Sequence, residues 1–405
     1  MFSYFSGRVS GRVAALSVAA VLSALVAPWV VAEKVSSAVG KPFMEAQKLI
    51  QSGNTDAGLQ ALGRARAAAK TQYEKFQVNE MYVFAYSKQR NYGAAADANE
   101  AALNMGAGNR SQRLNTICQM RYQARQMDKA IAACGRVAKE NPTGATWGLL
   151  ASMYRQQRQY AASNNAVQAA LRSGGGGSTE NLLQMQFDNY TQLRDSGGQR
   201  RTLEQMVAMK PSRENWVRLQ TVVESKLPSK PRMDLDMERL RLVTGVSDKA
   251  DQFMLLAQLA LEAGLPGEAV AVLAKGVSAK VLGAPGPGKE RQDRLIAKAK
   301  SDAAAVQAAL PATDKEAQAA PDGKKDLLVG QRYVSYGRYN EGIAAIKRAI
   351  SKGGIDTGEA QLRLGQAYYA AGRRAEAQKA FSSVSASNPY SAVANLLSIH
   401  TRASS

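Results

Sequence analysis

The sequence predicts an all-α protein, a right-handed α-solenoid of about nine to ten helical hairpins, from three observations. The first is one complete helix-turn-helix unit between Gly358 and Pro389, GEAQLRLGQAYYAAGRRAEAQKAFSSVSASNP. Leu364, Gly365 and Tyr368 share one face of a first helix, Gly372 breaks it, and Ala377 and Phe381 mark the facing stripe of a second before Pro389 ends the unit. The second is recurrence. The equivalent site of each first helix falls at Ala46, Val83, Cys118, Ala151, Phe187, Gln220, Ala257, Gly330 and Gly365, with a degenerate unit near Ala297, at separations of 33 to 40 residues. The third is punctuation, because Gly264, Gly337 and Gly372 stand between paired helices where a breaker is needed.

In chain order, residues 1–12 carry Arg8 and Arg12 and no acid, and residues 13–27 are apolar except for Ser17 and Ser23. That pattern predicts a secretory signal over 1–32. The alternative is an N-terminal membrane anchor, since residues 13–32 number 20 and just span a bilayer. Pro28 and the short apolar core favour cleavage, and on either reading the bulk of the chain is exported. An N-terminal solenoid is expected over 33–281. Residues 35–105 make two repeats, the second marked by Tyr86, Tyr92, Ala95 and Ala102; a third covers 111–142 and a fourth 144–171, around Trp147, Leu150, Ala151 and Tyr154.

The glycine run at 174–177 predicts a flexible turn. Weaker helical pairs follow over 181–211 and 214–245, the second interrupted by Pro228 and Pro231, and then a good unit around Leu256, Ala257, Gly264, Ala269 and Leu273. Residues 282–325 read as an irregular Gly/Pro-rich and polar connector with a degenerate helical unit, its end, 312–325, a mobile link. Residues 326–405 are expected to form a C-terminal pair of repeats and a closing helix, the first repeat carrying Gly330, Tyr333, Gly337, Tyr339 and Ile346 with Gly342 where alanine is usual.

Little in the chain suggests catalysis, a metal or a cofactor. The segment GAPGPGK, Gly283 to Lys289, matches seven places of a phosphate-binding loop, but Glu290 stands where Ser or Thr must hold magnesium, and Pro285 and Pro287 remove two backbone donors. The one histidine, His400, has no acid nearby in sequence. Asp234 and Asp236 read as solvated helix-start residues. We therefore expect no enzyme and no cofactor.

The formal charge is +20, and +18 without residues 1–32, which lose two arginines and no acid. Export turns attention from nucleic acid to acidic proteins or anionic envelope surfaces, and no basic run is interleaved with aromatics as a single-strand groove requires. The two cysteines, Cys118 and Cys134, fall in one repeat on facing helices. They are either a disulfide permitted by an oxidising compartment or two buried thiols.

These intervals resemble the tetratricopeptide repeat (TPR), in which small residues such as Gly365 and Ala377 sit where antiparallel helices touch and aromatics such as Tyr368 and Phe381 fill the space around them. The resemblance implies a concave groove lined by the first helices, with Lys88, Gln119, Tyr122, Arg155, Gln156, Gln366 and Tyr369 as candidate partner contacts. Packing between repeats is the alternative role for Tyr122 and Tyr369. Over most of the chain after residue 32 the sequence also resembles the periplasmic TPR proteins encoded beside TonB, ExbB and ExbD. The segments that carry this are YEKFQVNEMYVFAYSKQRNYGAAADANEAAL (73–103), the step from Pro211 to Trp216, AGLPGEAVAVLAKGV (263–277) and GRYNEGIAAIKRAISKGGIDTGEAQLRLGQAYY (337–369). The glycine run, the 282–325 region and the repeats between Phe187 and Val223 depart from it. The resemblance implies a periplasmic, non-catalytic adaptor whose groove holds a segment of TonB, ExbD or an outer-membrane receptor. A different class of function is an envelope-assembly or cell-wall factor that binds anionic polymer or outer-membrane assembly components.

Overall fold

The computed structural model describes residues 35–106, 108–174, 177–227, 231–286 and 288–403. Residues 1–32, where a signal or anchor is expected, lie outside this set. Among the described residues every regular element is an α-helix, twenty in all. The chain divides into two compact units after Ser178, beside the glycine run.

Unit 1 is four antiparallel hairpins: α1 (Ser37–Gln51) with α2 (Thr55–Ala68), α3 (Gln72–Lys88) with α4 (Tyr92–Asn104), α5 (Arg110–Gln123) with α6 (Met127–Glu140), and α7 (Gly144–Gln156) with α8 (Tyr160–Arg172). Each second helix also packs on the first helix of the next hairpin, so small residues recur where backbones approach. Ala46 and Ile50 meet Ala61, Leu62 and Ala65 in this way, all buried. Side-chain caps start the helices. Asn91, Asn109 and Thr143 accept from the backbone N–H three residues on, at 3.2, 3.1 and 3.2 Å. Glu74 accepts from the backbone N–H groups of Ser36, Lys70 and Thr71 and from Ser36 Oγ at 2.6 Å, tying the start of α1 to α3. Those donors, the Ser36 hydroxyl first, hold its carboxyl down at about 2.

The hairpins share one turn. The residue that closes each first helix adopts a left-handed conformation, and the N–H after it bonds to a carbonyl five residues back. It is Gly53, Arg90, Arg125, Arg158, Arg194, Gly264, Gly337 or Gly372, with φ between 54° and 90°. The second bond runs, for example, from Asn91 N to Tyr86 O, Gln126 N to Arg121 O and Arg373 N to Tyr368 O, at 2.9, 3.1 and 2.9 Å. Arginine occupies this position in four successive turns, although a side chain there costs roughly 1–2 kcal/mol that glycine avoids.

Unit 2 holds α9 (Thr179–Gln192) with α10 (Ser196–Met209), α11 (Arg213–Glu224), α12 (Pro231–Val243), α13 (Ala250–Glu262) with α14 (Pro266–Ser278), α15 (Lys289–Ala319), α16 (Lys324–Ser335) with α17 (Tyr339–Lys352), α18 (Thr357–Ala370) with α19 (Arg374–Ser382), and α20 (Ser391–Ala403). Backbones approach closely in α16/α17, where a Cβ on Gly330 would lie 2.9 Å from Gly342 O and one on Gly342 2.8 Å from Gly330 O. This explains glycine at the place where alanine was expected.

Three expectations are corrected. Residues 289–319 are one 31-residue helix rather than an irregular connector. It packs on α13, α14 and α16, and Ala299, Ala303, Leu310 and Ala317 are buried. Tyr336 Oη donates to Ala303 O at 2.9 Å, and Lys352 Nζ donates to Ala317 O at 2.7 Å, closing its C-terminal end. Second, the packed register shifts where the pattern is weak: Val83 and Phe187 are half-buried and Ala297 is exposed, while Ala85, Gln186 and Ala299 face inward. Third, Asp234 is exposed as expected, but Asp236 is fully buried. Its burial follows from the path of α12. Helix α11 holds the segment after α12, Arg213 donating to Asp248 at 2.6 Å and Gln220 to Thr244 at 2.9 Å, whereas α12 itself packs on α20 and reaches α18 through Asp236.

Candidate functional site

Aligning the first helices on their left-handed turn residue brings equivalent side chains into register. Six residues before the turn stand Phe84, Gln119 and Ser152 in unit 1 and Gln366 in α18; three before it stand Ser87, Tyr122, Arg155 and Tyr369. Nine before it are Met81, Thr116, Leu149 and Arg363. In α5 the stripe Gln112, Thr116, Gln119 and Gln123 lies opposite the core residues Leu114, Ile117 and Cys118, so it cannot pack within its own hairpin.

In unit 1 this face is open. Lys88, Gln119, Arg155 and Gln156 are exposed and Tyr122 is half-buried. Gln156 Nε2 donates to Tyr122 Oη at 3.3 Å, and Lys88 Nζ sits 5.6 Å from the centre of the Phe84 ring, so neighbouring side chains are already partly ordered. Five of the seven candidate residues lie together on this face. Carboxamides and aromatics alternate along it, a composition suited to the amides and apolar side chains of an extended or helical segment. Behind the face Cys118 and Cys134 form a disulfide with Cα atoms 4.8 Å apart, joining α5 to α6.

On α18 of unit 2 the same face is occupied. Arg363, 2% exposed, donates through Nη1 to Asp236 Oδ1 on α12, a residue 127 positions away. Gln366 Nε2 donates to the same oxygen at 3.4 Å, as does Arg239 Nη1 at 3.0 Å, and Arg239 also grips Glu268 at 2.6 Å. Burial pushes the Asp236 carboxyl up, but Arg363 and Arg239 outweigh it and hold the group below its ordinary value. Tyr369 Oη is 3.0 Å from His400 Nε2 on α20, whose ring meets that of Trp216 on α11 edge-on at 5.9 Å. Burial, then repulsion from Arg374, lowers the His400 pKa. Gln366 and Tyr369 are therefore engaged by the chain itself. Cavities of about 520 and 430 Å³ lie on this side of the first helices, one lined by Leu328, Gln331 and Glu359, the other by Asp251, Leu255 and Gln258.

The cover that α12 and α20 give this face does not follow from repeat spacing, since their contacts span 31 to 130 residues. A usable signal was the apolar sequence of α20 together with the acids Asp236 and Glu238 inside α12 rather than at its start. Among the described residues no group of three His, Cys, Asp or Glu side chains is placed to hold a metal. The GAPGPGK segment is folded on itself, with Gly283 N donating to Gln292 Oε1 at 2.8 Å and Lys289 paired with Asp293. No helix among the described residues is long and apolar enough to cross a membrane.

No known family model matches the sequence, and no curated protein is significantly similar to it. Several solved structures resemble it weakly. One is Naa15/Naa10 bound to HypK-THB, at 11% identity and a TM-score of 0.30, covering 87% of this chain and 59% of that one. A tetratricopeptide repeat protein from Parabacteroides merdae shares 11% identity at a TM-score of 0.29, with 82% and 99% covered. The C-terminal part of a TPR repeat-containing protein from Cytophaga hutchinsonii shares 9% at 0.28, with 80% and 99% covered. At scores this low none of these proteins lends its function to this chain. The paired helices and the shared turn define a TPR-type α-solenoid.

Proposed function

We propose that the protein is a non-catalytic scaffold whose unit 1 binds a protein segment on its open first-helix face. The observation that carries this is internal to the molecule: at equivalent positions in unit 2, Arg363, Gln366 and Tyr369 grip helices of the same chain. In unit 1 the matching Gln119 is exposed and Tyr122 half-buried, with no such helix over them among the described residues.

The finer reading is a periplasmic adaptor for the TonB–ExbB–ExbD energy-transduction system, with TonB, ExbD or an outer-membrane receptor as the bound partner. The resemblance of segments 73–103, 211–216, 263–277 and 337–369 supports it, as does the signal-like 1–32 stretch. A photo-crosslinker at Gln119, read out in cells by mass spectrometry, tests both levels. Capture of TonB, ExbD or a receptor, reduced about tenfold by Tyr122→Ala, supports the adaptor role. Capture of other envelope proteins keeps the scaffold and discards the TonB assignment, and capture of no protein overturns the scaffold.

A further inference from the structure

Three turns of unit 1 carry a feature that partner binding in the groove does not use. They read RNY at Arg90–Tyr92, RQM at Arg125–Met127 and RQY at Arg158–Tyr160: the left-handed residue, the helix cap, and the first residue of the second helix. All three arginines are exposed, and none is in an ion pair among the described residues. Other arginines of the unit are consumed: Arg64 by Glu45, Arg110 by Glu140, Arg113 by Glu80, Arg121 by Asp97. Along these turns Arg90, Arg125, Lys129 and Arg158 stand beside two carboxylates, Asp128 and Asp56, the latter accepting from Gln89 Nε2 at 2.6 Å.

Because the first helices run side by side and end together, these turns lie along one edge of the unit. Adjacent hairpins are roughly 10 Å apart, so the arginines form a row of that pitch. Tyr92, Met127 and Tyr160, each half-buried, sit beside them. Glycine serves the same turn at Gly53, Gly264, Gly337 and Gly372 without strain, so backbone geometry alone does not call for arginine.

We propose that this edge docks on a membrane surface bearing phosphate headgroups. Exposed arginines alternating with amphipathic side chains suit an anionic headgroup layer, whose charges move laterally to match any spacing. An acidic peptide fits less well. It would need an acid about every three residues to follow a 10 Å pitch, a fixed spacing that lipid headgroups need not keep. This edge is independent of the partner face: loss of one leaves the other intact.

The test is partition of the full chain onto vesicles of 30% phosphatidylglycerol in phosphatidylcholine, divided by its partition onto phosphatidylcholine alone. Any apolar N-terminal contribution common to both lipids cancels in that ratio. Each arginine should contribute about fivefold, so Arg90→Gly/Arg125→Gly/Arg158→Gly should lose about a hundredfold. Glycine suits the left-handed turn, so the triple variant should fold at least as well as the parent. The triple lysine variant should keep most of the ratio and Tyr122→Ala all of it. A parent ratio near one, or a triple glycine variant indistinguishable from the parent, overturns the proposal. A parent that ignores vesicles but binds poly-glutamate through these arginines would replace the membrane by an acidic protein.

Discussion

Asp236 is the most exposing place to perturb the molecule, in the energetic sense, because it is the least exposed in the spatial one. Its Oδ1 accepts from Arg363, Arg239 and Gln366, and it is fully buried beside a guanidinium that is 2% accessible. Asp236→Ala removes one charge and leaves Arg363 with its longer contacts, Glu359 at 3.4 Å, Gln366 at 3.1 Å and the Tyr390 ring at 5.9 Å. Stranding a buried charge costs about 3–5 kcal/mol. For a unit of this size each kcal/mol moves Tm by roughly 2–4 °C, so the unit 2 transition should fall by roughly 6–20 °C. Trp216, 1% exposed and against His400, reports that transition by fluorescence in a Trp29→Phe/Trp147→Phe background. The double variant Asp236→Leu/Arg363→Met should recover most of the loss, because both members of the most deeply buried pair are then gone and Arg239 keeps Glu268. A single variant that costs under about 1 kcal/mol would refute the account. It would mean that water reaches the pair and that α12 is not fixed on α18.

Two further outcomes follow from unit chemistry. The Cys118–Cys134 bridge closes a loop of separation 16 and should contribute about 3 kcal/mol. Reduction should therefore lower the urea midpoint of unit 1 while leaving the Trp216 signal of unit 2 in place; a midpoint insensitive to dithiothreitol contradicts this. His400 is held below its ordinary pKa of 6.5, so the unfolded chain takes up its proton first. Unit 2 should keep full stability above about pH 6.5 and lose it as pH falls toward the folded-state value. His400→Gln should flatten that slope, and an unchanged pH profile in the variant would show that His400 does not control it.

The repeats were legible because their determinants are local. Gly365, Ala151 and Ala257 announce close helix packing, and Gly264, Gly337 and Gly372 announce turns, all within one hairpin. Arg90, Arg125 and Arg158 hid equivalent turns, since arginine carries no preference for left-handed backbone; only the recurring RNY, RQM and RQY would have revealed them. Helix α15 was obscured by Pro311 and by a sparse apolar face. Pro311 sits inside the helix all the same, held by tertiary packing of Leu310 and Ala317. The placement of Lys88, Gln119, Tyr122, Arg155 and Gln156 on one face follows from repeat register. The burial of Gln366, Tyr369 and Asp236 does not, because it depends on where two distant helices come to rest.

The return of α20 also sets an order of events. Asn395 donates to Glu204 on α10 at 2.8 Å across 191 residues, and His400 completes the surroundings of Trp216. Unit 1 can acquire its hairpins one after another as they leave the ribosome, each resting on the one before. The early helices of unit 2 must wait, their apolar surfaces uncovered, until α20 has been made. A chain without α20 would thus lose cover from helices synthesised some two hundred residues earlier, which places the interval of greatest aggregation risk between the synthesis of α10 and that of α20.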